Sequence, residues 1–258
     1  MENPKVRIWI LAPLSLSLLI ISQLANNLAF LSLLSIAPLF AIFSEFKESN
    51  NAPWGSYLTI ILILIIGFGC WAFSFAKADI VTFAYGAGYG AVASLAFLIF
   101  IFTNKYAKNR LGLFTVIIYW LALEYLLLQI NPQFSQFFLG SIFKHDTYLI
   151  SWDLYTGLQG VTVWILLVNL LFYFALFKGL AIFNVQIRWL SIIYTLIIIV
   201  IPFSLNISSE AIVPEDLISG TAQAKQLAGN GEYLGKTAAW VSVLMILYSF
   251  VKRKTKDD

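Results

Sequence analysis

The sequence predicts an all-α membrane protein, a bundle of about eight transmembrane helices that forms one polytopic domain over residues 1–258. Apolar residues make up 60% of the chain and charged residues 11%, whereas a soluble domain is about a quarter charged. The apolar runs are roughly 15–22 residues long, enough to cross a hydrocarbon layer about 30 Å thick. Because that layer offers no water to backbone groups, each run is expected to be helical.

Eight apolar runs follow one another along the chain. We predict helices at about 8–24, 28–44, 56–76, 84–103, 112–130, 158–178, 188–205 and 237–251. The first two are short, and residues 8–44 could instead form a re-entrant pair. Residues 8–24 follow Lys5 and Arg7 as the apolar part of a signal peptide would, but no small-x-small cleavage site follows them. We therefore interpret this run as a retained anchor.

The distribution of lysine and arginine predicts the orientation, because cytoplasmic loops carry an excess of these residues. With eight crossings and the N-terminus in the cytoplasm, twelve of the sixteen basic residues fall inside and four outside. The outside residues are Lys77, Lys144, Lys225 and Lys236. The inside residues are Lys5, Arg7, Lys47, Lys105, Lys108, Arg110, Lys178, Arg188, Lys252, Arg253, Lys254 and Lys256. Both termini are therefore predicted to be cytoplasmic, with two outer loops at about 131–157 and 206–236.

Several kinds of site are excluded or disfavoured by residue counts. The single histidine, His145, rules out a histidine-pair metal site, and the single cysteine, Cys70, rules out a disulfide framework. No phosphate-cradling loop is present, so no metal and no cofactor is expected. Basic residues are spread among short loops, which does not favour nucleic acid as a partner. Residues 85–90, YGAGYG, continue into an apolar helix, so their glycines more simply allow close helix packing.

Glu124 is the most informative polar residue, because it lies inside the fifth predicted span. An ionisable side chain there costs roughly 2.5–3.5 kcal/mol on insertion scales and usually has a partner or a function. Its depth is about 9 Å from the outer surface, similar to that of Thr162 and Trp164 on the sixth span, whereas Asn169 is deeper, nearer Trp120. One interpretation is a proton carrier or an anchor for a lipid headgroup. The other is an interhelical hydrogen bond from a neutral carboxyl group.

The two outer loops offer weaker candidates. Loop 131–157 is rich in aromatic residues, which are common at membrane interfaces, and Trp152 and Tyr155 could contact a lipid or a partner. Asp153 precedes the sixth helix and could complement its N-terminal dipole. His145 beside Asp146 could form an acid–base pair, but adjacent side chains rarely face each other. In loop 206–236 the acidic and basic residues are best explained as a solvated surface.

Four stretches of the chain resemble the membrane domain of bacterial apolipoprotein N-acyltransferases. In chain order they are 122–126 (ALEYL), then Gly140, then 152–157 (WDLYTG) with Gly160 and 164–169 (WILLVN), and last 231–238 (GEYLGKTA) ahead of the final helix and its basic tail. Eight spans with both ends inside fit that family as well. The resemblance touches most of the chain and implies a multi-pass protein of a bacterial inner membrane.

The departure from that family bears directly on activity. The family carries a large nitrilase-like domain between its seventh and eighth helices, with a glutamate, a lysine and a cysteine that form a thioester. Here about thirty residues occupy that interval, too few for a core of their own. Cys70 lies in the third span with nothing to activate it, and the family's "FPW"-like stretch before Gly140 is also missing. The chain alone is therefore not expected to perform the thioester chemistry.

The resulting hypothesis is a non-catalytic relative, or pseudoenzyme, that binds a membrane lipid, an acylated protein or a partner protein in the membrane or periplasm. The candidate contact residues are Glu124, Trp152, Asp153, Tyr155, Trp164 and Asn169. Two alternatives stay open. The chain could be the membrane subunit of a split acyltransferase whose nitrilase-like domain is supplied in trans, or a small transporter or assembly subunit of a membrane complex.

Overall fold

A computed structural model of the chain describes residues 4–24, 28–48, 54–73, 79–107, 112–145, 153–177, 189–204 and 231–257. These residues form helices and no strands, as the sequence predicts. The α-helices are α1 (Pro4–Leu24), α2 (Ser32–Ser35), α3 (Ala37–Glu48), α4 (Trp54–Phe73), α5 (Ile80–Ala107), α6 (Phe114–Ile130), α7 (Asp153–Phe172), α8 (Trp189–Ser204) and α9 (Glu232–Asp257). Short 3-10 helices cover Ala29–Leu31, Pro132–Phe137 and Leu139–His145, and a π-helical turn, Tyr173–Phe177, ends α7.

Five helical segments of the described chain are long and apolar enough to cross a membrane. They are Ala29–Phe46, Trp54–Phe73, Ile80–Tyr106, Thr156–Phe177 and Glu232–Arg253. Three shorter apolar helices accompany them, Trp9–Gln23, Phe114–Ile130 and Trp189–Pro202. The chain thus has the helical, multi-pass character expected from its composition.

The second predicted helix is broken rather than continuous. α2 ends at Ser35 and α3 begins at Ala37, with Ile36 between them. The amide of Asn169 on α7 spans this break. Its Oδ1 accepts from the backbone N–H groups of Ile36 at 2.7 Å and Ala37 at 2.9 Å, and its Nδ2 donates to the carbonyl of Ser32 at 2.9 Å. A side chain from a distant helix therefore satisfies backbone groups that the break leaves free.

Close contact between α4 and α5 depends on glycine. A Cβ placed on Gly86 would lie 2.4 Å from the carbonyl oxygen of Phe68, and one on Gly90 would lie 2.6 Å from that of Leu64. Any larger side chain at either position would push the two backbones apart. The expectation that Gly86 and Gly90 serve helix packing is confirmed.

The first part of the predicted outer loop 131–157 folds into the bundle. The aromatic residues of this loop were expected to lie at the membrane interface, yet Phe137 and Phe138 are 6% and 0% exposed. Tyr85 on α5 anchors this segment, since its hydroxyl donates to Gln133 Oε1 at 2.8 Å and accepts from Asn131 Nδ2 at 3.1 Å. Residues 146–152, and residues 205–230 of the other loop, lie outside the described residues.

The outward surfaces of α4, α8 and α9 carry large apolar side chains, as helices that face lipid do. On α8 the side chains at least 46% exposed are Trp189, Leu190, Ile193, Tyr194, Leu196, Ile197, Val200 and Ile201. On α9 those at least 47% exposed are Tyr233, Trp240, Val243, Leu244, Leu247, Tyr248, Phe250 and Val251. Both helices therefore pack on the bundle from its periphery.

Candidate functional site

Glu124 lies at the centre of a buried cluster of polar side chains. It is 0% exposed, and its Oε1 accepts hydrogen bonds from the Tyr89 hydroxyl, from Trp120 Nε1 at 3.2 Å and from Thr162 Oγ1 at 3.4 Å. These donors come from α5, α6 and α7. We refer to Tyr89, Trp120, Glu124 and Thr162 as the polar cluster.

The 3-10 helical segment that follows α6 covers the polar cluster and bonds to it through two backbone N–H groups. The backbone N–H of Leu139 donates to the Tyr89 hydroxyl at 3.1 Å, and that of Gly140 donates to Thr162 Oγ1 at 3.1 Å. The indole of Trp120 also donates to the Tyr89 hydroxyl, at 2.9 Å. Each group that bonds to Glu124 is thus oriented by a further contact, which makes the arrangement rigid.

Gly140 permits this closure because it has no side chain. A Cβ there would lie 2.1 Å from the carbonyl oxygen of Leu158 and 3.2 Å from the backbone nitrogen of Thr162. The start of the Leu139–His145 segment is therefore pressed directly against the backbone of α7. A local apolar pattern does not reveal such a contact, which explains why the sequence alone placed this segment at the surface.

A second polar contact joins α7 to the first turn of α9. The backbone N–H of Gly235 donates to Gln159 Oε1 at 3.2 Å. A Cβ on Gly235 would lie 2.7 Å from both polar atoms of the Gln159 side chain and 2.7 Å from the Tyr125 Cβ. A Cβ on Gly231 would lie 2.6 Å from the carbonyl oxygen of Thr156. The start of α9 therefore packs tightly over α6 and α7, next to the polar cluster.

Glu124 and Gln159 each have one side-chain atom without a hydrogen-bond partner among the described residues. These atoms are Oε2 of Glu124 and Nε2 of Gln159, and both residues are 0% exposed. Thr162, which bonds to Glu124, lies one helical turn beyond Gln159. A carboxyl oxygen and an amide N–H group are therefore buried on α6 and α7 without a hydrogen-bond partner among the described residues.

α7 changes direction where it meets α9. Gly157 has φ 65° and ψ −178°, a conformation that only glycine adopts without strain. A Cβ on Gly231 would also lie 3.3 Å from the Gly157 Cα. The turn of α7 thus lies under the start of α9, and both glycines are needed for their approach.

The other predicted contact residues have different positions. Trp164 is 5% exposed, and its Nε1 donates to the carbonyl of Ile198 on α8 at 3.0 Å. Asn169 is 0% exposed and forms the α2–α3 contact, with a further bond to the carbonyl of Ile165 at 2.8 Å. The polar atoms of Trp164 and Asn169 are therefore engaged by backbone groups of this chain.

Two further candidates lie at the start of α7, toward the end where the polar cluster is found. Asp153 and Tyr155 belong to the first turn of α7, and Trp152 lies outside the described residues. The structure therefore brings Glu124 and Thr162 together, as their equal depth predicts, and separates them from the contacts of Asn169. Tyr89 is the partner that sequence reasoning missed. Its signal was a hydroxyl four residues after Tyr85, on the same face of α5.

The chemistry available at the polar cluster is hydrogen bonding and proton carriage. The chain has one cysteine, Cys70, and it is exposed on α4, whereas Glu124 is fully buried. Among the described residues, no three His, Cys, Asp or Glu side chains are grouped as metal ligands would be.

No protein-family model, no curated protein and no solved structure matches the chain.

Proposed function

We propose that this chain is a multi-pass protein of a bacterial inner membrane, related to the membrane domain of apolipoprotein N-acyltransferases, that binds a lipid, an acylated protein or a partner membrane subunit. In this proposal it performs no acyl transfer of its own. The support comes from where the four stretches of resemblance lie in space.

The four stretches are far apart in the sequence and adjacent in the fold. Glu124, in the first, bonds to Thr162, which lies between Gly160 and residues 164–169 of the third. A Cβ on Gly231, in the fourth, would lie 2.6 Å from the carbonyl oxygen of Thr156 in the third. Gly140, the second, donates to that same Thr162. Gly235, in the fourth, donates to Gln159. Chance similarity between apolar helices would not favour glycines and polar residues that all meet at one place, so this convergence is the observation that carries the proposal.

The burial and the hydrogen bonds of these residues support a binding role rather than a catalytic one. The polar cluster is sealed, and each donor around Glu124 is itself oriented by a second contact. The interval between α8 and α9 is too short for a nitrilase-like domain, and the thiol of Cys70 lies on the outer surface of α4. The packed helices around the polar cluster form a rigid platform with apolar outer faces. Such a platform suits the presentation of a lipid or an acylated protein, or assembly with another membrane subunit.

Part of the platform is placed to meet an amphiphilic ligand. The start of α7 carries Asp153 and Tyr155, and the exposed apolar face of α8 lies beside α7 through the contact of Trp164 with Ile198. A diacylglyceryl group would lie along α8, with its polar end toward the first turn of α7. In this proposal Glu124 shapes the platform from inside, and Trp152 with Tyr155 contacts the ligand.

The proposed orientation has eight crossings with both termini in the cytoplasm. The excess of lysine and arginine on that side supports it, and so does the approach of two helix ends that both carry basic residues, the last turns of α5 and α9. Cysteine labelling in a Cys70→Ser background tests it. A membrane-impermeant maleimide added to intact spheroplasts should label Lys236→Cys and not Lys105→Cys. The reverse pattern, or labelling of both, contradicts the orientation.

The binding proposal is tested by isolating the full chain in a mild detergent and identifying what stays bound by native mass spectrometry. A phospholipid, a diacylglyceryl peptide or a stoichiometric membrane subunit is the expected result. Gly235→Leu should release the bound species because it forces α9 away from Gln159 and Tyr125. Gly55→Leu is the matched control, since no atom lies within 4 Å of a Cβ at Gly55.

Two outcomes would contradict this function. One is an empty protein that retains no lipid or subunit in any mild detergent. The other is complementation of a strain that lacks lipoprotein N-acylation by this chain alone, together with a covalent acyl group on Cys70. Complementation only in the presence of a separate nitrilase-like subunit would instead support a split enzyme.

A further inference from the structure

We infer that the ends of α5 and α9 form a binding site for the headgroup of an anionic phospholipid, separate from the polar cluster. The site consists of Lys105, Tyr106, Tyr248, Lys252 and Arg253, which we call the basic end. This inference does not depend on the proposed function.

The basic end is arranged by aromatic rings from two helices. The guanidinium carbon of Arg253 lies 5.4 Å from the centroid of the Tyr106 ring, and the Nζ of Lys105 lies 5.8 Å from the same centroid. The Nζ of Lys252 lies 6.0 Å from the centroid of Tyr248. Cation–π contacts of this kind favour a cation over the face of the ring. The contacts of Lys105 on α5 and Arg253 on α9 therefore bring two positive charges to the Tyr106 ring.

The helices that carry these charges are fixed to each other just below them. The rings of Phe102 on α5 and Phe250 on α9 are 5.2 Å apart between centroids. The Tyr119 hydroxyl donates to Thr103 Oγ1 at 3.0 Å and so joins α6 to the same turn of α5. The cations therefore project from a packed three-helix support rather than from a free tail.

Charges of like sign attract an anion when they are gathered in this way. The guanidinium carbon of Arg253 and the Nζ of Lys105 lie over the same ring and are therefore at most about 11 Å apart. Their mutual repulsion falls when an anion lies between them. A phosphate group offers several acceptor oxygens to the donors of Lys105 and Arg253, the two cations that lie over the Tyr106 ring.

The surface next to the basic end identifies the anion as a lipid. Leu244, Leu247 and Val251 on α9 are 63%, 56% and 63% exposed, and they precede Lys252 and Arg253 along the helix. This surface is apolar for two turns and then becomes cationic, which matches an acyl chain that ends in a phosphate. Juxtamembrane lysine and arginine each strengthen binding to an anionic lipid surface about fivefold. A free phosphate ion would use the cations but not the apolar surface.

The inference is tested with the full chain purified in detergent and titrated with phosphatidylglycerol, phosphatidylcholine of the same acyl chains, or inorganic phosphate. Native mass spectrometry reports the number and occupancy of bound molecules. We expect saturable binding of phosphatidylglycerol, with at least about tenfold weaker binding of phosphatidylcholine. Equal binding of the two lipids, or displacement of phosphatidylglycerol by millimolar inorganic phosphate, would overturn the inference.

Matched variants separate an arranged site from general attraction between charges. Arg253→Gln should weaken phosphatidylglycerol binding about five- to tenfold, whereas Lys236→Gln, which removes one charge at the opposite end of the same helix, should leave it unchanged. Equal effects of the two variants would contradict a local site.

The aromatic ring provides a test that changes no charge. Tyr106→Leu should weaken binding several-fold because Arg253 and Lys105 lose the ring that places them, and Tyr106→Phe should bind as the unaltered protein does. If Tyr106→Leu elutes as a monodisperse species and binds normally, the ring plays no part and the inference is wrong.

Discussion

The indole nitrogen of Trp164 donates a hydrogen bond to the carbonyl oxygen of Ile198 at 3.0 Å. Pro202 follows Ile198 by four residues in α8, so this carbonyl is the one that lacks its usual helical N–H donor. In a membrane such a carbonyl has no water to replace the donor. A tryptophan from α7 therefore supplies what a proline in α8 removes, and the contact attaches α8 to the bundle.

The first prediction concerns this contact. Trp164→Phe should lower the free energy of unfolding in detergent by about 1–2 kcal/mol, because the carbonyl of Ile198 loses its donor. The same change in a Pro202→Ala background should cost less, since the alanine introduced there has a backbone N–H that can donate within the helix. A reversible denaturant titration followed by circular dichroism measures both. Trp240→Phe, at a side chain 72% exposed on α9, is the control and should be neutral.

The second prediction concerns Asn169. Asn169→Leu keeps a similar volume but removes the amide that accepts from the backbone N–H groups of Ile36 and Ala37. It also takes one donor from the carbonyl of Ser32, which keeps the Ser35 hydroxyl at 3.0 Å, so we expect a loss of about 2–4 kcal/mol. Ser32→Ala is the control, because the Ser32 hydroxyl bonds only within its own turn, to Ala29 at 2.6 Å. A thermal scan of the purified protein should show a clear fall in the midpoint for the first variant only. Similar midpoints for both would mean that the α2–α3 break is stable without the amide.

The third prediction concerns Tyr89 and Glu124. Tyr89→Phe should cost about 1–2 kcal/mol, since its hydroxyl donates to Glu124 and accepts from Trp120 and Leu139. Glu124→Gln should insert and fold nearly normally because the amide oxygen still accepts from the cluster. A double-mutant cycle between Tyr89→Phe and Glu124→Leu should give a coupling of at least about 0.5 kcal/mol, the lower end of the range for contacting residues. Additive effects would show that the two side chains act independently.

The fourth prediction concerns the glycines of α5. Gly86→Ala should destabilise the protein because the new methyl group would collide with the backbone of Phe68, whereas Gly55→Ala meets no atom within 4 Å. The second change should be neutral or stabilise by up to about 1 kcal/mol, since alanine favours the helix. Comparing the aggregation midpoints of the two purified variants checks the difference. Equal midpoints would mean that α4 and α5 can separate without cost.

The helical class and most helix positions could be predicted because the length of each apolar run can be read directly from the sequence. The fourth predicted helix, 84–103, is found within α5, and the last, 237–251, lies within α9. α9 begins earlier, at Glu232, because an acidic residue in the first turn and its ion pair with Lys236 at 3.0 Å favour helix there. The break at Ile36 could not be predicted, because the side chain that permits it lies 133 residues away.

The candidate site was predicted in part for the same reason. Depth along two helices placed Glu124 beside Thr162, since rise per residue is constant in a helix. Rotation about the helix axis is set by packing, so depth could not show that Tyr89 faces Glu124 or that Asn169 faces α2. The burial of Phe138 depends on Gly140 fitting against Leu158, which is a contact between backbones and leaves no pattern in hydrophobicity.

The break between α2 and α3 has a consequence for biogenesis. Its backbone N–H groups at Ile36 and Ala37 enter the bilayer while Asn169 has not yet been synthesised. During that interval the nascent segment needs another source of acceptors, which a straight helix or the aqueous lateral gate of a translocon can supply. The contacts of this break with Asn169 can therefore form only after residue 169 has been synthesised, so the final shape of the α2–α3 segment depends on the second half of the chain.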